Sequence, residues 1–246
     1  NTALFFEPQI DAGHEYVTRL SGLHEQIVAA GHDSPPVAEM GALLREAEIR
    51  LNNDRIYADS LERAGSTLMP MLFRLGEPLG RPDRPLPEFV ARNRLPQVVP
   101  GEGDAWSTAV GIGHLNANAD VDGGIRAEPL VLRHYNDYFP SLSLLIAARS
   151  LNLGFDDIRV KLGEEVRLGR LRIRTDGMTQ MNTFFYGDRA DRPAFPVDSF
   201  YDVLTGKIPA AKYRDRIVLI GATAGGVGAP QVTPVSPAMA PVLTLA

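Results

Sequence analysis

Oxygen-bearing side chains and a glycine alternate along one short segment of the chain: Asn118, Asp120, Asp122 and Gly123. This spacing is typical of the first half of a calcium loop, where oxygen ligands stand at alternate positions and glycine permits a sharp turn. The match then fails, because the carboxylate expected at the end of such a loop falls on Pro129, with Glu128 one residue early. Three interpretations remain open: a turn held by Asx side chains, which we favour, a calcium site, and a ligand site built from the same carboxylates.

Three further candidate residues surround this acidic segment: His114, Asn116 and Arg126. A carboxylate within reach of His114 would keep it protonated near neutral pH and make it a pH sensor; the favoured alternative is a histidine that bonds a nearby turn. Arg126 is predicted to pair with Asp120 or Asp122, with capture of an anion as the alternative. No second histidine stands at ligand spacing, so no zinc site is expected. Because the calcium interpretation is not the favoured one, no residue is predicted to be a metal ligand.

A second candidate region follows the apolar run 216–222, which we predict to be a central strand. Open α/β sheets bind ligands beyond the carboxyl ends of such strands, which makes Gly221, Thr223 and the downstream Thr233 candidate ligand contacts. The segment lacks the Gly-Lys-Ser/Thr ending of a phosphate loop and the Gly-x-Gly-x-x-Gly of a dinucleotide fold, and the chain has no Gly-x-Ser-x-Gly elbow. We therefore expect neither catalysis nor a cofactor.

Helices and strands must position these residues. Apolar spacing predicts helices over 14–32 and 38–64, and a Pro/Gly-rich surface excursion over 74–103 that contains a short helix near 87–93. Ser141 is predicted to cap a buried helix that stops at Gly154. The remaining predicted elements are strands at 67–73, 128–135, 158–162, 166–168, 171–174 and 181–187 and a helix at 199–206. The predicted fold is α/β, a mixed sheet flanked by helices, as one domain over 1–246 with a helical insertion at 11–64.

Composition limits the partners. The chain has 246 residues, 44% of them hydrophobic, so it can bury a large core. Its net charge of -5 does not indicate the excess of basic residues that is typical of nucleic-acid-binding proteins. The absence of cysteine favours export only weakly. No run approaches the roughly 18 to 20 apolar residues of a membrane span, so the chain as given is expected to be soluble. Apolar segments at 4–6 and 242–246 suggest a piece of a longer protein.

Four ordered segments resemble the extracellular sensory domain of the CHASE family, type two. They are the pattern from Gly113 to Pro129, the Pro140-Ser141-Leu142 start of a helix, the strand from Asn182 to Gly187, and the segment from Gly206 through Ala224 to Ser236. Two departures stand out. Ala229 occupies a position where relatives often carry Asp, and Pro241-Val242-Leu243 replaces the usual Gly-Val-Glu, so any site that used those acids is altered here.

The resemblance implies an extracytoplasmic, periplasmic sensor domain of an inner-membrane receptor, without catalysis of its own. Its flanking transmembrane helices would lie outside this sequence, and both chain ends are then expected on one side of the fold. The helical insertion and the Phe184-Phe185-Tyr186 and Val242–Ala246 segments look most like the branch linked to a Ser/Thr protein kinase. Other outputs in the family are nucleotide cyclases, histidine kinases, and diguanylate cyclases or phosphodiesterases.

The partner implied is an unknown small-molecule or protein signal, and a homodimer is left open. Signalling would follow if the signal binds one of two domain arrangements better and so biases the attached membrane helices. Two alternatives come from other classes of protein. One is a periplasmic enzyme that uses Asp120, Asp122 and His114 on a small substrate. The other is a constitutive dimerisation scaffold that senses nothing.

Overall fold

The computed structural model describes residues 12–77, 80, 98–99, 102–103, 111–135, 137–189, 192–223 and 229–246. The chain divides into two compact units, Phe6–Ser66 and a unit that contains Thr67–Ala246. The apolar segment at 4–6, the predicted helix near 87–93 and the N-terminal end of the chain lie outside the described residues. The closeness of the two chain ends therefore stays a prediction.

Among the described residues, the first unit contains three helices, α1 (Ala12–Ala29), α2 (Pro35–Leu51) and α3 (Asn53–Ala64). The predicted helix over 14–32 corresponds to α1, whereas the predicted helix over 38–64 is divided at Asn52 into α2 and α3. Helix α1 ends because Gly31 takes the left-handed conformation at φ 83°. Its amide donates to the Val28 carbonyl, and that of His32 donates to Ile27, which satisfies the last carbonyls of the helix. The Ser34-Pro35 break then starts α2 with proline in its first turn.

The described part of the second unit carries short strands and three further α-helices. The strands are β1 (Leu68–Met71), β2 (Val98–Val99), β3 (Glu102–Gly103), β4 (Gly111–His114), β5 (Asn118–Ala119), β6 (Ile125–Pro129), β7 (Val131–His134), β8 (Asp137–Pro140), β9 (Ile158–Lys161), β10 (Glu165–Leu168), β11 (Leu171–Arg174), β12 (Gln180–Asn182), β13 (Gln231–Thr233) and β14 (Ser236–Met239). The helices are α4 (Leu142–Ser150), α5 (Phe200–Leu204) and α6 (Pro241–Leu245), with 3-10 turns at Phe155–Asp157 and Ala210–Tyr213.

Parallel and antiparallel pairings both occur, which confirms the α/β fold class. Strands β1 and β4 pair in parallel, while β9, β10 and β11 form an antiparallel meander and β5, β6 and β12 another antiparallel sheet. The pairs β2–β3, β7–β8 and β13–β14 complete the strands of the described residues. The sheet content is thus distributed over several small sheets.

Helix α4 forms the centre of the core because four of its six apolar residues are buried. Leu144 and Leu145 are each 2% exposed and pack with Val166 of β10 and Ile158 and Val160 of β9. Strands β9 and β10 alternate buried apolar with exposed basic residues, as their sequence predicts. The predicted stop at Gly154 is wrong by two residues, because Asn152 adopts the left-handed conformation at φ 55° and ends the helix.

Two further predictions need correction. The predicted strand 128–135 is two strands, β6 and β7, and the predicted strand 181–187 is limited to β12. Strand β6 ends at Pro129; the amide of Leu130 still donates to the Thr179 carbonyl beside β12, but the Leu130 carbonyl accepts from the Ser141 amide at the start of α4. Within the described residues, no helix is both long enough and apolar enough to cross a membrane.

Candidate functional site

Strand β4 and the start of helix α4 touch at a glycine. Residue His114 at the end of β4 forms a bridge with Ser141, the residue that caps α4. A Cβ on Gly113 would lie 2.5 Å from the Cα of Leu142 and 2.6 Å from its nitrogen. Since real Cβ atoms essentially never come so close to backbone, glycine is required for the first turn of α4 to rest on β4.

A polar cluster that is buried at Ser141 and half-buried at Ser143 and Glu128 lies at the first turn of α4. The Ser141 hydroxyl accepts from the Leu144 amide at 3.2 Å, which is the predicted N-cap, and lies 2.9 Å from the hydroxyl of Ser143. Ser143 in turn donates to the carboxyl group of Glu128 on β6. Burial raises the pKa of Glu128, although the bonds from Ser143 and Ser141 favour its charged form. The cluster is a carboxyl group in low-dielectric surroundings, held by two hydroxyls.

His114 lies beside this cluster but does not join it. The side chain is 1% exposed, and neither ring nitrogen has a hydrogen-bond partner within the described structure. Burial lowers the pKa of His114 to about 3, so the ring is neutral at physiological pH. Both expectations for this residue, a protonated pH sensor and a histidine bonded to a turn, are therefore wrong. Its ring points into the protein, where the exposed acidic segment does not reach it.

Asn116 is buried, and both its amide oxygen and its amide nitrogen form hydrogen bonds within the fold. Its amide oxygen accepts from the Phe73 amide at 2.8 Å, and its amide nitrogen donates to the Phe73 carbonyl at 2.7 Å. The side chain thus imitates a backbone and extends the pairing of β1 with β4 beyond the end of both strands. Contact with a ligand would require this pair of hydrogen bonds to open. That role of Asn116 stays a prediction.

The acidic segment closes on Arg126, and we call Asp120, Asp122 and Arg126 the Arg126 clasp. The guanidinium meets Asp122 with two bonds, 2.8 Å from Nη1 to Oδ1 and 2.7 Å from Nη2 to Oδ2, and Nη1 also donates to Asp120 at 2.6 Å. Asp122 accepts from the Gly124 amide at 2.9 Å as well. The predicted Asx-held turn and its pairing with Arg126 are confirmed.

Charges in the clasp stabilise each other. The hydrogen bond from Arg126, followed by that from the Gly124 amide, holds the pKa of Asp122 well below its usual range. The bonds to Asp122 and Asp120 raise the pKa of Arg126. A guanidinium thus occupies the place that a metal ion would take between these carboxylates. Across the described residues, no group of three or more His, Cys, Asp or Glu could hold a metal.

Thr233 reaches the same region through the backbone. Gly124, between Asp122 and Arg126, forms a parallel bridge with Val232 of β13. Thr233 itself is 7% exposed, and its hydroxyl donates to the Ser236 carbonyl at 3.3 Å, within the β13–β14 hairpin. The structure therefore brings β13 against the clasp loop, with the Thr233 side chain turned inward. Whether Thr233 contacts a ligand stays a prediction.

The predicted central strand over 216–222 is wrong. The segment has no strand geometry, and Ile217, Val218 and Ile220 are 62%, 48% and 68% exposed. Consecutive apolar residues predict a strand only when neighbouring strands and helices cover both faces, and the described residues supply no such cover. Thr223 is exposed, and a Cβ on Gly221 would lie 2.7 Å from that of Val242 on α6. The argument from a strand end no longer supports Gly221 and Thr223 as ligand contacts.

Glu128 and Ser143 belong to the polar cluster but were not identified from the sequence. Ser141 was predicted as a helix cap, and Glu128 appeared only as a misplaced calcium ligand. The available signal was a carboxylate on a strand whose flanking residues Ile125 and Pro129 are apolar, followed by a helix that starts with two serines. Such a start favours a carboxylate nearby, because its first amides and hydroxyls can donate to it.

A family model described as the CHASE2 domain matches residues 27–246. No curated protein and no solved structure matches the chain. The match extends over both the clasp loop and the start of α4, the regions where the sequence resemblance is most specific. CHASE2 domains are extracellular sensory domains of receptors and are not catalytic. The chain belongs to the CHASE2 domain family.

Proposed function

We propose that this chain is the periplasmic input domain of a bacterial transmembrane receptor whose cytoplasmic output is a Ser/Thr protein kinase. The observation that carries the proposal is the family match over residues 27–246. The helical segment that contains α1, α2 and α3 supports the kinase branch, because its sequence resembles that branch of the family most. Membership of a sensory family supports signal reception as its task.

The Arg126 clasp is the proposed place of reception. Its side chains are half exposed, with Arg126 at 47% and its carboxylate partners at 49% and 56%. Two carboxylates share one guanidinium, so a cationic group of a small molecule or protein can compete for Asp120 or Asp122, and an anionic group can compete for Arg126. In either case binding changes the bonds that close the loop.

The backbone offers a route from the clasp to the C-terminal segment. Gly124 bridges Val232, and the β13–β14 hairpin runs directly into α6, which also contacts β13. A signal that binds the open or the closed clasp better shifts the population between two positions of this hairpin. In a receptor this shift biases the segment that follows α6 and leads toward the membrane.

Thermal unfolding of the chain with panels of charged metabolites and metal ions tests the proposal. A ligand at a hundred times its dissociation constant stabilises the folded state by about 2.7 kcal/mol. The stabilisation should be lost in Arg126→Gln and kept in the matched control Arg174→Gln, an exposed arginine on β11. A ligand whose effect survives Arg126→Gln would place reception elsewhere.

The full-length gene decides the output. We expect a hydrophobic segment of about 20 residues on each side of the domain and a protein-kinase domain beyond one of them. A cyclase, a histidine kinase, or a diguanylate cyclase or phosphodiesterase domain in that place would keep the receptor and overturn the kinase link. The absence of both hydrophobic segments would overturn the receptor.

A further inference from the structure

Helix α1 presents a row of exposed apolar side chains. Tyr16, Leu20, Leu23 and Ile27 follow one another at intervals of four, three and four residues, and they are 64%, 50%, 54% and 39% exposed. This alternation of three and four is the spacing of the seam in a coiled coil or helix bundle. A seam of this kind is ordinarily buried against another helix.

The contact between α1 and α2 uses a different face of α1. His14, Val17, Ser21 and His24 are the half-buried residues there. The Nε2 atom of His24 lies 2.8 Å from the Val37 carbonyl oxygen, and a Cβ on Gly41 would meet the His24 ring at 2.4 Å. The two helices thus pack through a close approach at Gly41, and the apolar row of α1 takes no part in this contact and stays exposed.

Helix α2 adds to the row on the same side of the hairpin. Met40 and Leu43 are 40% and 62% exposed. Because α1 and α2 run antiparallel, the contact of His24 with residues 37 and 41 sets Leu23 level with Met40 and Leu20 level with Leu43. At about 100° per residue, the apolar row of each helix is rotated by about a quarter turn, in the same direction about the helix axis, from the residues that contact the other helix. Because the two helices are antiparallel and their contact faces point toward each other, this equal rotation brings both rows to the same side of the hairpin. We call these six residues the hairpin face.

Charges beside the hairpin face fit a second copy of the chain. Arg19 flanks the row on α1, and Glu39 and Glu46 flank the row on α2. When two hairpins stack about a twofold axis parallel to the helices, α1 of one lies against α2 of the other. Arg19 then comes opposite Glu46 of the second copy. Glu46 already pairs with Arg50 at 2.9 Å, but that exposed pair contributes little and leaves the carboxylate accessible.

A lipid surface fits less well. Acidic side chains outnumber basic ones along residues 12–64, which opposes binding to anionic lipid headgroups. A helical hairpin with one apolar face is also half of a four-helix bundle, which buries four such rows in its centre.

We propose that the hairpin face is a homodimer interface and that two copies of the chain close it into an antiparallel four-helix bundle. This interface does not depend on the receptor function, because it requires only a second copy. Two hairpins bring four apolar rows together and leave the Arg19–Glu46 pairs at the rim. The charged rim sets the register, and the apolar rows supply the affinity.

Sedimentation equilibrium of the whole chain over a concentration series tests the interface. The unmodified chain should be a dimer, and Leu20→Glu with Leu23→Glu should be a monomer, because each buried carboxylate should raise the dissociation constant of the dimer by more than about tenfold. Ile49→Glu is the matched control, because Ile49 is 69% exposed on α2 and lies about half a turn out of phase with Met40. This control should remain dimeric. Circular dichroism confirms that each variant is folded.

A charge reversal gives a second test that does not depend on the apolar residues. Arg19→Glu and Glu46→Arg should each weaken the dimer, and the double variant should restore it. A monomer at every concentration would overturn the proposal. A dimer unaffected by the glutamates at 20 and 23 would overturn it too, since another surface would then hold the copies. A monomer that these glutamates destabilise toward heat would show that the face packs within one chain, which also contradicts the proposal.

Discussion

Arg126 forms a bidentate ion pair with Asp122, in which Nη1 donates to Oδ1 at 2.8 Å and Nη2 donates to Oδ2 at 2.7 Å. The pair lies four residues apart in a turn, so the fork geometry fixes the backbone between them. The same carboxylate accepts from the Gly124 amide, and Gly124 bridges β13. The Asp122 carboxylate thus links the charged side chain of Arg126 to Gly124, the residue through which the loop contacts the C-terminal hairpin.

Asp122→Asn should lower the melting temperature of the chain at neutral pH, because Arg126 loses a charged partner. The pKa of Asp122 is depressed in the folded state, so its contribution is present above the unfolded value of 3.8 and is lost as pH falls through the folded value. The difference between the two proteins should therefore shrink in strong acid. Thermal unfolding against pH measures it. Calcium should leave both melting temperatures unchanged, and a calcium shift that Asp122→Asn abolishes would restore the calcium site.

Glu128→Gln should change the pH dependence in the opposite direction. The folded pKa of Glu128 is raised, so the neutral form is favoured in the folded state and stability is lost as pH rises above the ordinary value of 4.5 toward the folded value. A glutamine oxygen still accepts from Ser143 and carries no charge. The variant should match the unmodified chain in acid and exceed its melting temperature at neutral pH. A variant less stable at neutral pH would show that the charged form is needed.

Gly113→Ala should destabilise the second unit, because its Cβ would meet the Leu142 backbone at 2.5 Å. Overpacking of this kind costs about 1 to 3 kcal/mol. Gly177→Ala is the control, since a Cβ there meets nothing within 4 Å. Chemical denaturation compares the two free energies of unfolding. Equal values would mean that α4 can shift away from β4 without loss.

Leu144→Ala should lower the free energy of unfolding by about 2 to 5 kcal/mol, the usual effect of a cavity in a packed core. Leu144 is 2% exposed, whereas Leu151, just after the end of the same helix, is 46% exposed. Leu151→Ala should therefore change stability by less than about 0.5 kcal/mol. Urea denaturation distinguishes them, and similar losses for both would contradict the position of α4 in the core.

Local signals predicted the parts of the fold that local forces determine. Ser141 caps α4 because its hydroxyl can reach an amide three residues on, and β9 alternates buried with exposed residues because one of its faces lies on the core. The clasp was predictable for the same reason, as Asp122 and Arg126 are four residues apart. Each of these relationships lies within one short segment.

The sequence predictions that failed concern residues whose environment is set by segments far along the chain. Glu128 is half-buried against a helix whose contact residue, Ser143, lies fifteen positions later, and the pattern of its own strand does not identify that partner. Ile217, Val218 and Ile220 form a β-prone run, but strand formation needs neighbours that sequence periodicity does not report. His114 stands near the acidic segment in sequence, whereas its ring turns into the core.

Protease accessibility in spheroplasts of the native host tests whether this domain lies in the periplasm. As the sensory input of a receptor, residues 1–246 should lie outside the cytoplasmic membrane. A membrane-impermeant protease added to intact spheroplasts should therefore cleave within this domain while a cytoplasmic marker stays whole, and the receptor should sediment with the membranes. A domain that is cut only after the cells are lysed, or a full-length protein found in the soluble fraction, would contradict the account.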